Sequence, residues 1–162
     1  MKLYEYNVFI TPCYIYIPFD NIDLISMLNE EKMKEYLGQD FLLDCDAARE
    51  LYHTYAQDAP IVDFHNHLPV RDLASDRRYG DIGELWVCSD PYKHRAMRLL
   101  GYDERLISGN ASSKEKFLAW CKALPVLIGN PLYHWSHMEL KTYFGIDEPL
   151  TSKNADRIYD AC

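Results

Sequence analysis

Hydrophobic positions along this chain fall into one short continuous run and a series of helix-spaced stripes. The run is Ile61-Val62-Asp63-Phe64-His65-Asn66-His67-Leu68, set off by Ala59-Pro60. An apolar run of this length, bounded by proline, predicts a buried strand over 61–67. Upstream the pattern is helical from Asn21, and a new segment runs from Met33 to Leu43. Asp44 then reads as the N-cap of a helix with Ala47, Ala48, Leu51, Tyr52 and Tyr55 on one stripe. His53 falls off that stripe and is assigned to the surface. Downstream, Leu68-Pro69 breaks the chain, and Asp72 to Arg78 is a charged, solvated stretch.

Three further helix starts are marked by caps. Ser89-Asp90-Pro91 opens a helix to Leu100 with Gly101 as its stop, proline standing where a missing N–H costs nothing. Ser112 and Glu115 form a capping box ahead of Phe117, Leu118, Cys121 and Leu124, closed by Pro125. Asn130-Pro131 begins a helix that runs to a stop at Gly145. Thr151 is read as the cap of a last helix, still in progress at Cys162. No internal repeat or low-complexity tract interrupts the order.

Residues 1–32 differ in character from the rest. The apolar run Val8 to Phe19 contains Thr11, Pro12 and Pro18, and Tyr4, Tyr6, Tyr14 and Tyr16 give the segment a strand-like composition. It suits neither a membrane span nor a signal peptide. It reads as an extension foreign to the downstream sequence, expected to pack poorly and to be removable without loss of stability.

Composition changes the picture only by exclusion. With 162 residues, 48% hydrophobic and 26% charged, the chain can build one core. A net charge of −8 gives no basic footprint for nucleic acid or an anionic membrane. The five cysteines lack any C-x-x-C spacing, which points to reduced thiols and a cytoplasmic setting.

The candidate chemistry begins with His65 and His67. In a strand, alternate side chains share a face, so the two imidazoles would point the same way and form half of a metal site. Asp63 would lie on that face as a supporting carboxylate. Tyr92, Lys93, His94, Arg95 and Arg98 group cations with a hydroxyl donor on one helix, and arginine suits bidentate carboxylate binding. His134 and His137 share a helical face, either as substrate contacts or as packed core residues.

Several stretches resemble the start of the uronate (glucuronate) isomerases of the amidohydrolase superfamily. They are Phe41-Leu42-Leu43, Ala48-x-x-Leu51-Tyr52, Pro60 to Leu68, Asp76-Arg77-Arg78, Asp90 to Arg98 with Gly101, Asn130 to Leu140, and Phe144-Gly145-Ile146. The likeness spans about residue 33 to the C-terminus, and Asn130-Pro131-Leu132-Tyr133-His134-Trp135 is its most specific part. It implies an α/β fold, mostly helical over this length: the first part of a metal-dependent-hydrolase-type (β/α)8 barrel. The division would be an extension at 1–32, the barrel start at 33–68, and an inserted helical subdomain at 69–162.

The resemblance further implies isomerisation of glucuronate to fructuronate and of galacturonate to tagaturonate. His65 and His67 would hold a divalent metal, usually zinc, and Tyr92 would lie near the sugar. Arg95, His134 and His137 join it as candidate contacts to the hexuronate, and a homo-oligomer stays open. The family usually has His at Pro91, Trp at His94 and Cys at Asn66. A (β/α)8 barrel takes about 250 residues, so the chain is expected to be a piece, binding metal weakly and lacking activity alone. Two other readings remain: a metal-dependent hydrolase of the same superfamily, and a non-enzymatic helical interaction module.

Overall fold

The computed structural model describes residues 35–162, so the expectations for residues 1–32 lie outside the described residues. The compact unit Leu37–Cys162 holds the helices among the described residues. They are α1 (Asp46–Leu51), α2 (Val70–Ala74), α3 (Ile82–Trp86), α4 (Pro91–Leu99), α5 (Ser113–Ala123), α6 (Pro131–Phe144) and α7 (Ala155–Ala161). A π-helical turn, Tyr52–Ala56, extends α1, and 3-10 turns at Glu104–Leu106 and Leu124–Leu127 flank α5.

The starts of α4, α5 and α6 arise from single side chains. Asp90 Oδ1 accepts from the amides of Tyr92 (2.8 Å) and Lys93 (2.9 Å). Ser112 and Glu115 complete a reciprocal capping box on α5. Asn130 accepts from the Leu132 amide at 2.9 Å ahead of α6. Each satisfies amides that the first helical turn cannot pair internally. Gly145 ends α6 at φ 67°, and Gly101 comes after α4 at φ 77°, both in the left-handed region where glycine is least strained.

Helix α5 is the hub, packing against α3, α4 and α7. Phe117, Trp120 and Cys121 on α5 are fully buried with Val87, Met97, Ile107, Leu124, Leu140 and Ile158. Burial holds the Cys121 thiol up to about 12. At the top of α5, Ser113 Oγ donates to Asp81 Oδ2 at 2.6 Å while Asp81 Oδ1 accepts the Glu84 amide at 2.8 Å. One carboxylate thus caps α3 and fastens it to α5.

Three expectations need correction. The run 61–67 forms no β ladder, and Ile61 and Phe64 are 91% and 96% exposed. A strand needs a neighbour to take its N–H and C=O groups, and the described residues supply none. Helix α1 forms, with Cys45 rather than Asp44 at its N-cap, but none of its residues is buried. Its apolar stripe lacks a covering surface among the described residues. Thr151 does not cap α7: its amide donates to Asn154 Oδ1 at 2.8 Å, and the helix starts after Asn154.

Candidate metal and substrate site

Three of the candidate residues meet. The ring centroids of His65 and His67 are 5.5 Å apart, and the Tyr92 ring stands edge-on to His67 at 4.3 Å. Two imidazoles on one tetrahedral ion, with Zn–N near 2.1 Å, would have centroids about 5 Å apart. The spacing of His65 and His67 is close to that value. Proline at the first position of α4 and the Asp90 cap fix where the helix begins, and therefore where Tyr92 stands.

The carboxylate beside the histidines is not the expected one. Asp63 turns back on its own segment, accepting from the His65 amide and from Asn66 Nδ2, each at 3.0 Å. Such local Asx bonding competes with any longer-range contact. Asp90 takes the place instead, its Oδ2 lying 3.1 Å from His67 Nδ1 and 3.6 Å from Lys93 Nζ. Burial pushes the Asp90 carboxyl upward, but the Lys93 charge, the Lys93 amide, His67 and the Tyr92 amide outweigh it. The group is held below the ordinary carboxylate range. An ionised carboxylate only accepts hydrogen bonds, so His67 donates to it through Nδ1–H; in the neutral ring that leaves the lone pair on Nε2.

Lys93 is itself buried, with its ammonium 5.6 Å from the Trp86 ring centre and 5.9 Å from that of Trp120. Burial pushes the nearby Glu139 carboxyl up, against the pull of the Lys93 charge. Sequence patterns alone do not mark Asp90 and Glu139 as residues supporting the site, and they place Lys93 only in the cation cluster of its helix. Asp90 reads there only as a helix start, and its second contact spans 23 positions in the chain.

The remaining candidates lie apart from one another in role. Arg95 is exposed on α4. His94, at the family's Trp position, donates from Nε2 to the Val87 carbonyl at 2.6 Å and ties α4 to the end of α3. His134 lines a separate apolar groove of about 490 Å³ with Phe41, Leu42, Tyr52, Trp135 and Met138. Its ring meets Phe41 edge-on at 5.1 Å. Among the described residues, no three His, Cys, Asp or Glu side chains converge as a metal site. No helix among them is long and apolar enough to cross a membrane.

His137 departs from the substrate-contact expectation. It is 4% exposed, its Nδ1 donates to the Tyr133 carbonyl at 2.7 Å, and its Nε2 accepts from the Leu150 amide at 2.9 Å. Both nitrogens serve the fold, holding the loop after α6 against that helix. Burial lowers the His137 pKa below its ordinary 6.5, against the Tyr133 hydrogen bond and with a push from His134. The unfolded chain therefore takes up a proton that the folded one resists. This contribution is complete above pH 6.5 and is lost as pH falls through the folded value. His53, raised by Asp40 and then Gln57, acts in the opposite sense, and a comparison at fixed His53 isolates His137. His137→Gln is expected to lower stability by about 1–3 kcal/mol at neutral pH. Denaturant unfolding at about pH 5 and about pH 8 should show a flatter pH dependence in the variant than in the parent. Equal slopes would remove His137 as the cause.

The chain is similar to known proteins along most of its length. The glucuronate isomerase family model covers residues 33–162. A uronate isomerase of Marinomonas sp. is 53% identical over 131 residues, 80% of this chain and 28% of the relative. One from Mannheimia succiniciproducens is 50% identical over the same share of each. The crystal structure of uronate isomerase from Thermotoga maritima superposes with a TM-score of 0.71 at 38% identity, covering 78% of this chain and 28% of that one. The chain thus spans a little over a quarter of the length of these relatives. With its family match running through both histidines and all seven described helices, the chain belongs to the glucuronate isomerase family.

Proposed function

We propose that this chain provides the first metal-binding segment and the adjoining helical subdomain of a hexuronate aldose–ketose isomerase. It would act on glucuronate or galacturonate within a (β/α)8 barrel. The observation that carries the reading is the meeting of His65, His67 and Tyr92, with Asp90 behind His67. Interconverting a 2-hydroxy aldehyde and a ketose moves a proton between C2 and C1. That transfer needs a base and stabilisation of an oxyanion. A divalent metal, zinc by preference, would supply Lewis-acid polarisation of the sugar oxygens when held by His65 and His67.

The chain's own residues would do the rest that this segment can do. Tyr92 would stand against the sugar beside His67, and Arg95 would offer a guanidinium fork to the substrate carboxylate. Pro91 carries no proton-handling group, so the base for C2 comes from elsewhere. Catalytic zinc normally has three protein ligands. A third ligand, an aspartate, and the strands that would cover 61–67 belong in this reading to the family length that the chain does not span. The domain limits accord with the same reading: barrel start to residue 68, helical insertion from 69.

Two assays test this. The 162-residue chain with D-glucuronate and added zinc should show no turnover at the usual enzymatic scale of about 1–1,000 per second. A chimera with residues 33–162 replacing the matching part of the Marinomonas enzyme should turn over D-glucuronate. Its Pro91→His version should be about 100-fold faster or more, the scale of a restored acid–base group. If both chimeras are inactive while the intact Marinomonas enzyme works, the reading fails.

A further inference from the structure

We infer that Asp90 is the positioning residue for His67. It holds the imidazole in the Nδ1–H form so that Nε2 faces the space shared with His65, and it couples that orientation to the start of helix α4. The inference rests on the metal reading above, but its geometric content stands on the structure alone.

One carboxylate gathers four donors. Oδ1 takes the Tyr92 and Lys93 amides, while Oδ2 takes His67 Nδ1 at 3.1 Å and faces the Lys93 ammonium at 3.6 Å. The side chains of Asp90 and Lys93 are 14% and 10% exposed, so water is a poor substitute for either partner. Packing adds a second constraint, since Tyr92 closes on His67 at 4.3 Å. The imidazole is therefore held at one nitrogen by the carboxylate and at one edge by the tyrosine. Both restraints originate from the first turn of α4. A histidine with its far nitrogen fixed in this way presents the other to a cation without losing rotational freedom at binding, and such outer carboxylates tune metal affinity.

The same residue caps α4, so a simple truncation would confuse positioning with folding. Asn and Ser both cap helices well. Asp90→Asn keeps the shape but not the charge, and Asp90→Ser keeps the cap but is too short to reach His67. Both variants of the full chain should retain the parent's circular dichroism, with a lower melting temperature because Lys93 loses its buried counter-charge in each. Long-range nitrogen–proton NMR at mildly alkaline pH should show His67 as the Nδ1–H tautomer in the parent, and no longer so in Asp90→Ser. Zinc titrations followed at the His67 ring should weaken by about 10–100-fold in Asp90→Ser and by less in Asp90→Asn. An unchanged tautomer in Asp90→Ser, or zinc affinity within twofold of the parent, would overturn the assignment. The metal reading fails separately: zinc binding would then persist in His65→Ala and His67→Ala, while the tautomer experiment would still decide the role of Asp90.

Discussion

Trp120→Ala should lower the unfolding free energy by about 3–5 kcal/mol, the range for emptying a large aromatic site in a packed core. Trp120 sits at 0% exposure on α5, the helix against which α3, α4 and α7 all pack. Its removal therefore opens a void that three separate elements would have to close together. Trp120→Phe is the informative companion. The indole Nε1 is buried with no hydrogen-bond partner, so phenylalanine gives up volume but also relieves an unsatisfied donor. That variant should lose only about 1–2 kcal/mol. Chemical denaturation of both proteins measures the difference. A loss below about 1 kcal/mol for the alanine variant would show that α5 is not the centre of the core.

The second large effect comes from adding a single methyl group. A Cβ at Gly83 would lie 2.3 Å from the Ser113 carbonyl oxygen and 2.7 Å from its carbon. Both are backbone atoms and cannot swing aside. Gly83→Ala must push α3 off the top of α5, stretching the Asp81 link to Ser113. A loss of about 3 kcal/mol is expected, at the upper end for overpacking. Gly101→Ala serves as a contrast. That site has φ +77° with nothing within 4 Å of the added carbon, so only backbone strain of about 1 kcal/mol applies. Should the two variants melt together, the close approach of α3 to α5 is not the determinant.

Features that depend on near neighbours in the chain can be read from residues alone. Asp90, Ser112 and Asn130 act on amides two or three positions ahead, and Gly145 acts on the turn it occupies, so these boundaries are legible. Helix α3 escapes notice although Asp81 and Glu84 have the spacing of a cap, because five residues are too few to set up a periodic stripe. The stripe of α1 is legible, but periodicity does not say what covers it. Thr151 misleads for a related reason: Asn154, three residues on, offers a side-chain oxygen to the Thr151 amide and hydroxyl. At the candidate site, the period-two argument assumes a strand that does not form, and the rings of His65 and His67 lie 5.5 Å apart with a single residue between them. Proximity in sequence favours Asp63 as the supporting carboxylate, whereas Asp90 arrives only through the packing of α4. A barrel, as proposed, would rest on pairing between distant strands, which no local pattern specifies.

The self-contained caps have a consequence for the order of folding. Helices α3 to α6 each begin at a side chain within the same few residues, and the core they enclose draws on residues 82–158. Contacts of such short span close quickly, whereas strand pairing across a long separation is slow. During synthesis the α5-centred bundle can therefore settle soon after its last helix emerges, while Ile61, Val62 and Phe64, exposed among the described residues, would on the proposed barrel reading still wait for strands to cover them. The interval between those two events is when the chain is most open to pairing with another copy of itself. How quickly a covering strand arrives, rather than how stable the bundle is, would then set the yield of properly assembled protein.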